Sequence, residues 1–119
     1  MTKVFHMSLI SILGKKYVKE ILTALDKYGP LRLGQLKKLS GCPEGTITRR
    51  INELEEAGLV KTYEKKRGFA LPQKICKMTN LGKKALVLYE IDEELTKKYR
   101  STSHNHLKKR VVKYQTPNS

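Results

Sequence analysis

The change of period between residues 43 and 79 constrains this chain more than any other feature. In PEGTITRRINELEEAGLVKTYEKKRGFALPQKICKMT, Ile47, Ile51 and Leu54 recur at i, i+4 and i+7. At about 100° per residue this spacing gathers three apolar side chains into the arc that a helix buries. Gly45, Thr46, Arg49, Asn52 and Glu53 fall on the opposite face. Gly58 stands where a helix C-cap belongs, and alternation follows it. Leu59, Lys61 and Tyr63 point one way, and Val60, Thr62 and Glu64 the other. A basic tip, Lys65-Lys66-Arg67-Gly68, precedes a second strand-like run around Lys74 to Met78. The spacing therefore predicts a helix followed by a two-stranded hairpin with a positive tip. A helix able to enter a groove beside a basic ribbon points toward DNA.

Upstream, residues 1–14 form an apolar arm or short helix (Val4, Phe5, Met7, Leu9, Ile10, Ile12, Leu13) that needs a surface to pack on. The period predicts a helix over 15–28 with Val18, Ile21, Leu22 and Leu25 as its buried stripe. Gly29-Pro30 ends it, and Leu31-Arg32 reads as an extended link. A second helix over 33–39 turns Leu33, Leu36 and Leu39 inward. Ser40-Gly41-Cys42-Pro43 breaks it, and Pro43 suits the first turn of the next helix. Two helices joined by about four residues containing Gly are a helix-turn-helix signature.

Thr79-Asn80 can cap a last helix over 81–99. Leu81, Ala85, Leu88, Leu95 and Tyr99 form one stripe, interrupted by Asp92, and Leu86, Tyr89 and Ile91 widen it. That is more apolar surface than a terminal helix of a small domain usually needs. A dimer interface accounts for it, as does packing on residues 1–14 of the same chain. Residues 101–119 are polar and basic and read as a mobile arm.

Charge narrows the partners. With 25 Lys+Arg against 11 Asp+Glu, the formal charge is +14 on 119 residues. Such an excess attracts polyanions, nucleic acid first, with an anionic membrane surface or an acidic protein as alternatives. Residues 61–77 hold Lys61, Lys65, Lys66, Arg67, Lys74 and Lys77 against Glu64 alone, while acids gather at 53–56 and 90–94. No run of about 18 apolar residues is present to span a membrane, and the N-terminal stretch lacks a small-residue cleavage site. A cytoplasmic, nucleoid-associated protein is expected. Cys42 and Cys76 match neither a metal pattern nor a disulfide framework and read as small buried residues. Cys42 lies in the turn and is the one candidate for a redox switch. His104 and His106 are two weak ligands in the tail, so no metal site is assigned. No phosphate-cradling glycine loop and no nucleophile beside a base appear. The chain is read as a non-enzyme without a cofactor, and no small-molecule effector site is evident.

The run LGKKYVKEILTALDKYGPLRLGQLKKLSGCPEGTITRRINELEEAGLVKTYE, with MTNLGKKAL after the hairpin, resembles winged helix-turn-helix transcription regulators. It is most similar to the HxlR-type branch of the MarR-like group, with Tyr17 standing where that branch usually has Trp. The resemblance covers about residues 13–86. It implies an α+β, mostly α fold, with a three-helix core, a β-hairpin wing, an N-terminal arm and a long C-terminal helix. The expected divisions are 1–14, 15–79, 80–100 and 101–119. It further implies a homodimer on double-stranded operator DNA, with residues 43–58 as recognition helix and 65–73 as wing. Phe5, Leu9, Ile12, Leu81, Leu88 and Leu95 would then pair the subunits.

In such docking, the N-terminal part of the second helix meets base edges. Gly45, Thr46 and Arg49 are the expected readers, Arg49 through a guanine edge. A phosphate contact, or a helix salt bridge to Glu53, is the other role open to Arg49. Arg32, Lys37, Lys38, Thr48, Arg50, Lys65, Lys66 and Arg67 are the expected backbone contacts. A non-specific architectural DNA protein, or a winged helix used on protein or RNA, fits the same composition.

Overall fold

The hydroxyl of Ser8 accepts the Ser11 backbone N–H at 3.1 Å and so opens a short helix, α1 (Leu9–Leu13), which Gly14 closes. The computed structural model describes residues 8–66, 68–69 and 71–110, with side chains as far as residue 100. The expected first helix of the core begins three residues late, as α2 (Val18–Tyr28). Tyr17, just before it, sits at φ +74°. That left-handed conformation, costly for a bulky residue by about 1–2 kcal/mol, turns the chain where periodicity alone continues the helix. Val18, Ile21, Leu22 and Leu25 are buried as expected, and Ala24 joins them.

Leu31–Arg32 is more than a link. It forms β1 (Leu31–Arg32), which pairs antiparallel with the last strand through Leu31↔Cys76 and Arg32↔Ile75. Two residues are too few to show a period, so this pairing was invisible in the pattern. Next comes α3 (Leu33–Ser40), whose first turn is closed by Arg32 N–H donating to Gln35 Oε1 at 3.0 Å. Its inner face differs from the expected leucine row. Leu36 and Ser40 are buried, Leu33 is half-buried, and Leu39 is 48% exposed. Ser40 can occupy the core because its hydroxyl donates to the Leu36 carbonyl (2.6 Å) and accepts from Cys42 N–H (3.2 Å).

The second helix of the motif is α4 (Glu44–Glu56), with Pro43 as its N-cap residue rather than inside its first turn. Ile47, Ile51 and Leu54 are its buried residues, as the spacing requires. It ends in a Schellman motif. Leu59 N–H bonds to Leu54 O (2.9 Å) and Gly58 N–H to Glu55 O (3.0 Å), with Gly58 at φ +80°. Leu59 is thereby turned fully into the core. The hairpin follows as β2 (Val60–Lys65) and β3 (Gln73–Met78), in register from Val60↔Met78 to Lys65↔Gln73. The sheet order is β1-β3-β2. Val60 is buried and Thr62 half-buried, while Lys61 and Tyr63 are exposed, so the alternation holds over 60–63. Leu59, expected on the side of Lys61 and Tyr63, is buried by the helix-ending turn, and Glu64 is exposed.

The last helix, α5 (Asn80–Arg110), runs eleven residues past its expected end at Tyr99, and residues 101–110 are helix rather than an arm. Residues 111–119 lie outside the described residues. Thr79 caps α5, its hydroxyl accepting Gly82 N–H at 3.0 Å and donating to Gly58 O at 2.6 Å. The chain forms two compact units, the described residues to Leu86 and those from Val87. Among the described residues no helix is long and apolar enough to cross a membrane.

Gly82 makes the capped junction possible. A Cβ there would strike the Leu59 carbonyl oxygen and come within 2.6 Å of Met78 Cγ. Helix propensity favours Gly82→Ala by about 1 kcal/mol, but a fixed carbonyl cannot yield as a side-chain end can. Overpacking, at roughly 1–3 kcal/mol, should outweigh the gain. Gly82→Ala is expected to lower the urea midpoint, and an unchanged or raised midpoint would show that the junction is loose.

Candidate nucleic-acid interface

The motif presents its outer face because the inner face of α4 is held on both flanks. Lys15 Nζ bonds Glu53 Oε2 at 2.8 Å, and Arg50 bonds Glu53 Oε1 at 3.1 Å and the Lys16 carbonyl at 3.1 Å. These contacts tie α4 to the turn between α1 and α2. On the other flank, Glu55 accepts Thr62 N–H at 3.2 Å and the Thr62 hydroxyl at 3.0 and 3.1 Å, which fixes β2 to α4. The hairpin therefore has a set position relative to the helix before it.

This geometry corrects one expected contact. The Arg50 side chain is 14% exposed and its guanidinium is occupied by Glu53 and Lys16, so Arg50 is a strut of the fold and not a free phosphate ligand. Glu53 likewise takes Lys15 and Arg50, not Arg49. Arg49 is exposed and joins no hydrogen bond or ion pair among the described residues. Thr48 and Gly45 are exposed beside it, and Thr46 is half-buried. A Cβ built on Gly45 meets nothing within 4 Å, so packing within the chain does not require glycine there.

At the N-terminal end of α4, Glu44 pairs with Lys37 at 2.8 Å. The hydrogen bond and charge of Lys37 hold the Glu44 carboxyl below its ordinary range. Lys37 is thus engaged in a contact that periodicity did not foresee, and Glu44 was not among the expected site residues. A Pro-Glu pair opening a helix is a visible signal for it, since acids favour the first turn. Lys37 also borders an open cleft of about 570 Å³ with Arg32, Lys38, Gln35, Gln73 and Lys74. Arg32 and Lys38 were expected contacts and Gln73 closes the expected wing, whereas Lys74 was not among them. The cleft joins α3 to the tip end of the hairpin ladder, where Lys74 and Gln73 lie opposite Glu64 and Lys65, and β3 comes beside α3 only once β1 pairs with it. Lys65, opposite Gln73 in the ladder, and Lys66 are exposed. Arg67 lies outside the described residues.

The expected dimer residues separate. Ile12 is 1% exposed and belongs to the core of its own chain, which removes it from any interface. Leu9 is half-buried, Phe5 lies outside the described residues, and Leu81, Leu88 and Leu95 are exposed, with Val87, Ile91 and Tyr99. Cys42 does not have the setting of a redox switch. It is 2% exposed, and burial pushes its thiol up against the opposing pull of Arg50 and Arg49, so the reactive thiolate is disfavoured. Cys76 is fully buried, its thiol pushed up to about 12 by burial and by the Glu55 charge.

A MarR family model matches residues 20–67, from within α2 through β2. An uncharacterised protein of Methanocaldococcus jannaschii is 44% identical over 85 residues, 71% of each chain. This chain belongs to the MarR family. Among solved structures, the MarR-family protein is similar to a transcriptional regulator homologue from Pyrococcus horikoshii. The two share 27% identity and a TM-score of 0.57 over 71% of this chain and 87% of that one. It also shares its fold with diamide-treated YodB from B. subtilis, at 19% identity and a TM-score of 0.60, over 81% of this chain and 95% of that one. In this MarR-family protein the matched segment holds α3 and α4, so the family signature and the exposed Arg49 face coincide.

Glu53 supplies a test of the strut. Burial works to raise its carboxyl, but the hydrogen bonds and charges of Lys15 and Arg50 prevail and hold it below the ordinary 4.5. A depressed carboxyl stabilises fully above its ordinary value, and that contribution fades as pH falls through the lower folded value. Glu53→Gln should therefore cost about 1–3 kcal/mol at pH 7, and the deficit should shrink as pH drops below 4.5. Urea denaturation of both proteins at pH 7 and in acid checks it. An equal deficit at both would remove the ion pairs from the account.

Proposed function

We propose that this DNA-binding MarR-family regulator is a sequence-specific homodimer of the HxlR-type branch, acting in the cytoplasm on nucleoid DNA. The N-terminal half of α4 enters the major groove. Arg49 bonds a guanine edge, Thr46 and Thr48 contact a thymine methyl or phosphates, and Gly45 lets the backbone come close. Arg32, Lys38 and Lys74 hold phosphates along the cleft, and Lys65, Lys66 and Arg67 grip the backbone or the minor groove. Lys37 reaches a phosphate only by leaving Glu44, an exchange that an exposed ion pair permits at little cost. The exposed stripe Leu81, Leu88, Leu95 and Tyr99 of α5 pairs the subunits.

The observation that carries this reading is continuity. Lys37 joins the basic cleft to the first turn of α4 through Glu44, and Gln73 joins the same cleft to Lys65 on the wing. Reading helix, cleft and wing form one connected polar surface, with an unpaired arginine at its reading end. A non-specific coat would not need a glycine at position 45 that the fold itself leaves unused.

Selection of duplexes from random DNA, read by sequencing, should recover a two-fold-symmetric site with half-sites about one helical turn apart. Affinity should fall by about 10³–10⁵-fold between 50 and 200 mM salt for roughly six to ten phosphate contacts. Arg49→Ala should cost about 1–3 kcal/mol and relax preference at one base step. Gly45→Ala should stabilise the fold by about 0.5–1 kcal/mol while weakening DNA binding, a split that a purely structural glycine cannot produce. Binding without salt dependence, or recovery of unrelated sequences only, would refute the proposal.

A further inference from the structure

The wing carries a feature that phosphate gripping does not use. Beyond the last ladder pair, Lys65↔Gln73, its tip holds Phe69 and Leu71, which are 106% and 84% exposed. Phe69 follows Gly68, which adopts φ +57° in the turn. Neither apolar side chain has a core to enter, and six-residue strands hold the tip roughly 20 Å from the sheet's far end. A tip meant only to touch phosphates is better served by polar residues, because a large exposed apolar group promotes association.

The surroundings of the tip select its occupant. From Lys65 to Lys77 the chain has cations at 65, 66, 67, 74 and 77 and no acid at all. Another copy of a chain of formal charge +14 is repelled by such a setting, whereas a polyanion is drawn to it. The Glu55–Thr62 contacts fix the hairpin to α4, so the tip is delivered at a set distance from whatever α4 engages. Apolar side chains flanked by cations are how proteins wedge open a base step from the minor groove, kinking the duplex by roughly 20–90°.

We propose that the wing tip is a wedge. Phe69, supported by Leu71, enters the minor groove beside each half-site and partly unstacks a flexible pyrimidine–purine step, while Lys65 and Lys66 neutralise the flanking phosphates. The operator is then selected at a position where no base edge is read, through how readily that step deforms. This inference rests on the DNA reading above, and it adds a bent complex and a sequence preference that Arg49 does not supply.

The experiment uses the full chain and a duplex recovered from random DNA, with 2-aminopurine placed at each pyrimidine–purine step in turn and a donor and acceptor dye on the ends. The wild-type protein should brighten 2-aminopurine at one step per half-site and shorten the end-to-end distance. Phe69→Ala should abolish both signals, Leu71→Ala should reduce them, and Phe69→Leu should restore much of the effect. All three should keep the wild-type melting temperature and salt slope, because the tip is outside the core and the cations remain. An unbent wild-type complex, or a Phe69→Ala complex as bright and as bent as wild type, would overturn the wedge while leaving the regulator reading intact. So would a Phe69 dependence found in dimer sedimentation, or in binding to phosphatidylserine vesicles, rather than in the duplex signals. Failure to recover any duplex at all would instead remove the DNA reading on which the wedge stands.

Discussion

Every capacity of α4 depends on the burial of Ile47, Ile51 and Leu54. Truncating any one of these aliphatic side chains costs about 2–5 kcal/mol, against about 1–3 kcal/mol for losing a charged hydrogen-bond partner such as Glu53. Burial alone, however, leaves a helix able to roll about its axis. The polar contacts remove that freedom, with Glu53 holding Lys15 and Arg50 on one flank and Glu55 holding Thr62 on the other. Apolar area thus secures the helix, and two glutamates two positions apart, on opposite flanks of one turn, set which way Arg49 faces.

The same contacts explain how a strongly basic chain folds without wasting its charge. Lys15 and Arg50 are drawn inward by one carboxylate. Arg32, Lys38 and Lys74 are gathered around an open cleft, and Lys65 and Lys66 are sent to the hairpin tip. Lys37 stands between the two classes, held by Glu44 in the first turn of α4. Surface cations near one another repel, so gathering Arg32, Lys37, Lys38 and Lys74 around one cleft carries a cost that a bound polyanion would offset. The exposed Phe69 and Leu71 extend the same logic, since their surroundings exclude every apolar partner that is also positive.

Much of this was legible because it is local. The i, i+4, i+7 spacing of Ile47, Ile51 and Leu54 and the Gly58 stop fall within one helix, where chain chemistry determines geometry. So does the alternation of Val60 and Thr62 against Lys61 and Tyr63. What escaped depends on distant segments. Arg50 looked free because its carbonyl acceptor, on Lys16, lies 34 positions away. Ile12 looked available because nothing in its own stretch says that it packs into the chain's own core. β1 was missed because two residues carry no period, and with it went the cleft residue Lys74 and the meeting of Gln73 with α3. Leu39 matched a leucine row that Ser40 displaced, since a serine that bonds its own helix carbonyl leaves no unpaired hydroxyl in the core.

The central claim is that the face of α4 bearing Gly45, Thr48 and Arg49, with the adjoining cleft and wing, is the surface that meets DNA. Mapping amide shifts of labelled protein as a selected duplex is added tests it without any substitution. The account predicts that the shifts concentrate at residues 44–49, at Arg32, Lys38 and Lys74, and at residues 65–71, and spare the exposed side of α2 around Lys19, Thr23 and Lys27. Shifts centred on that side of α2, with α4 unmoved, would contradict it.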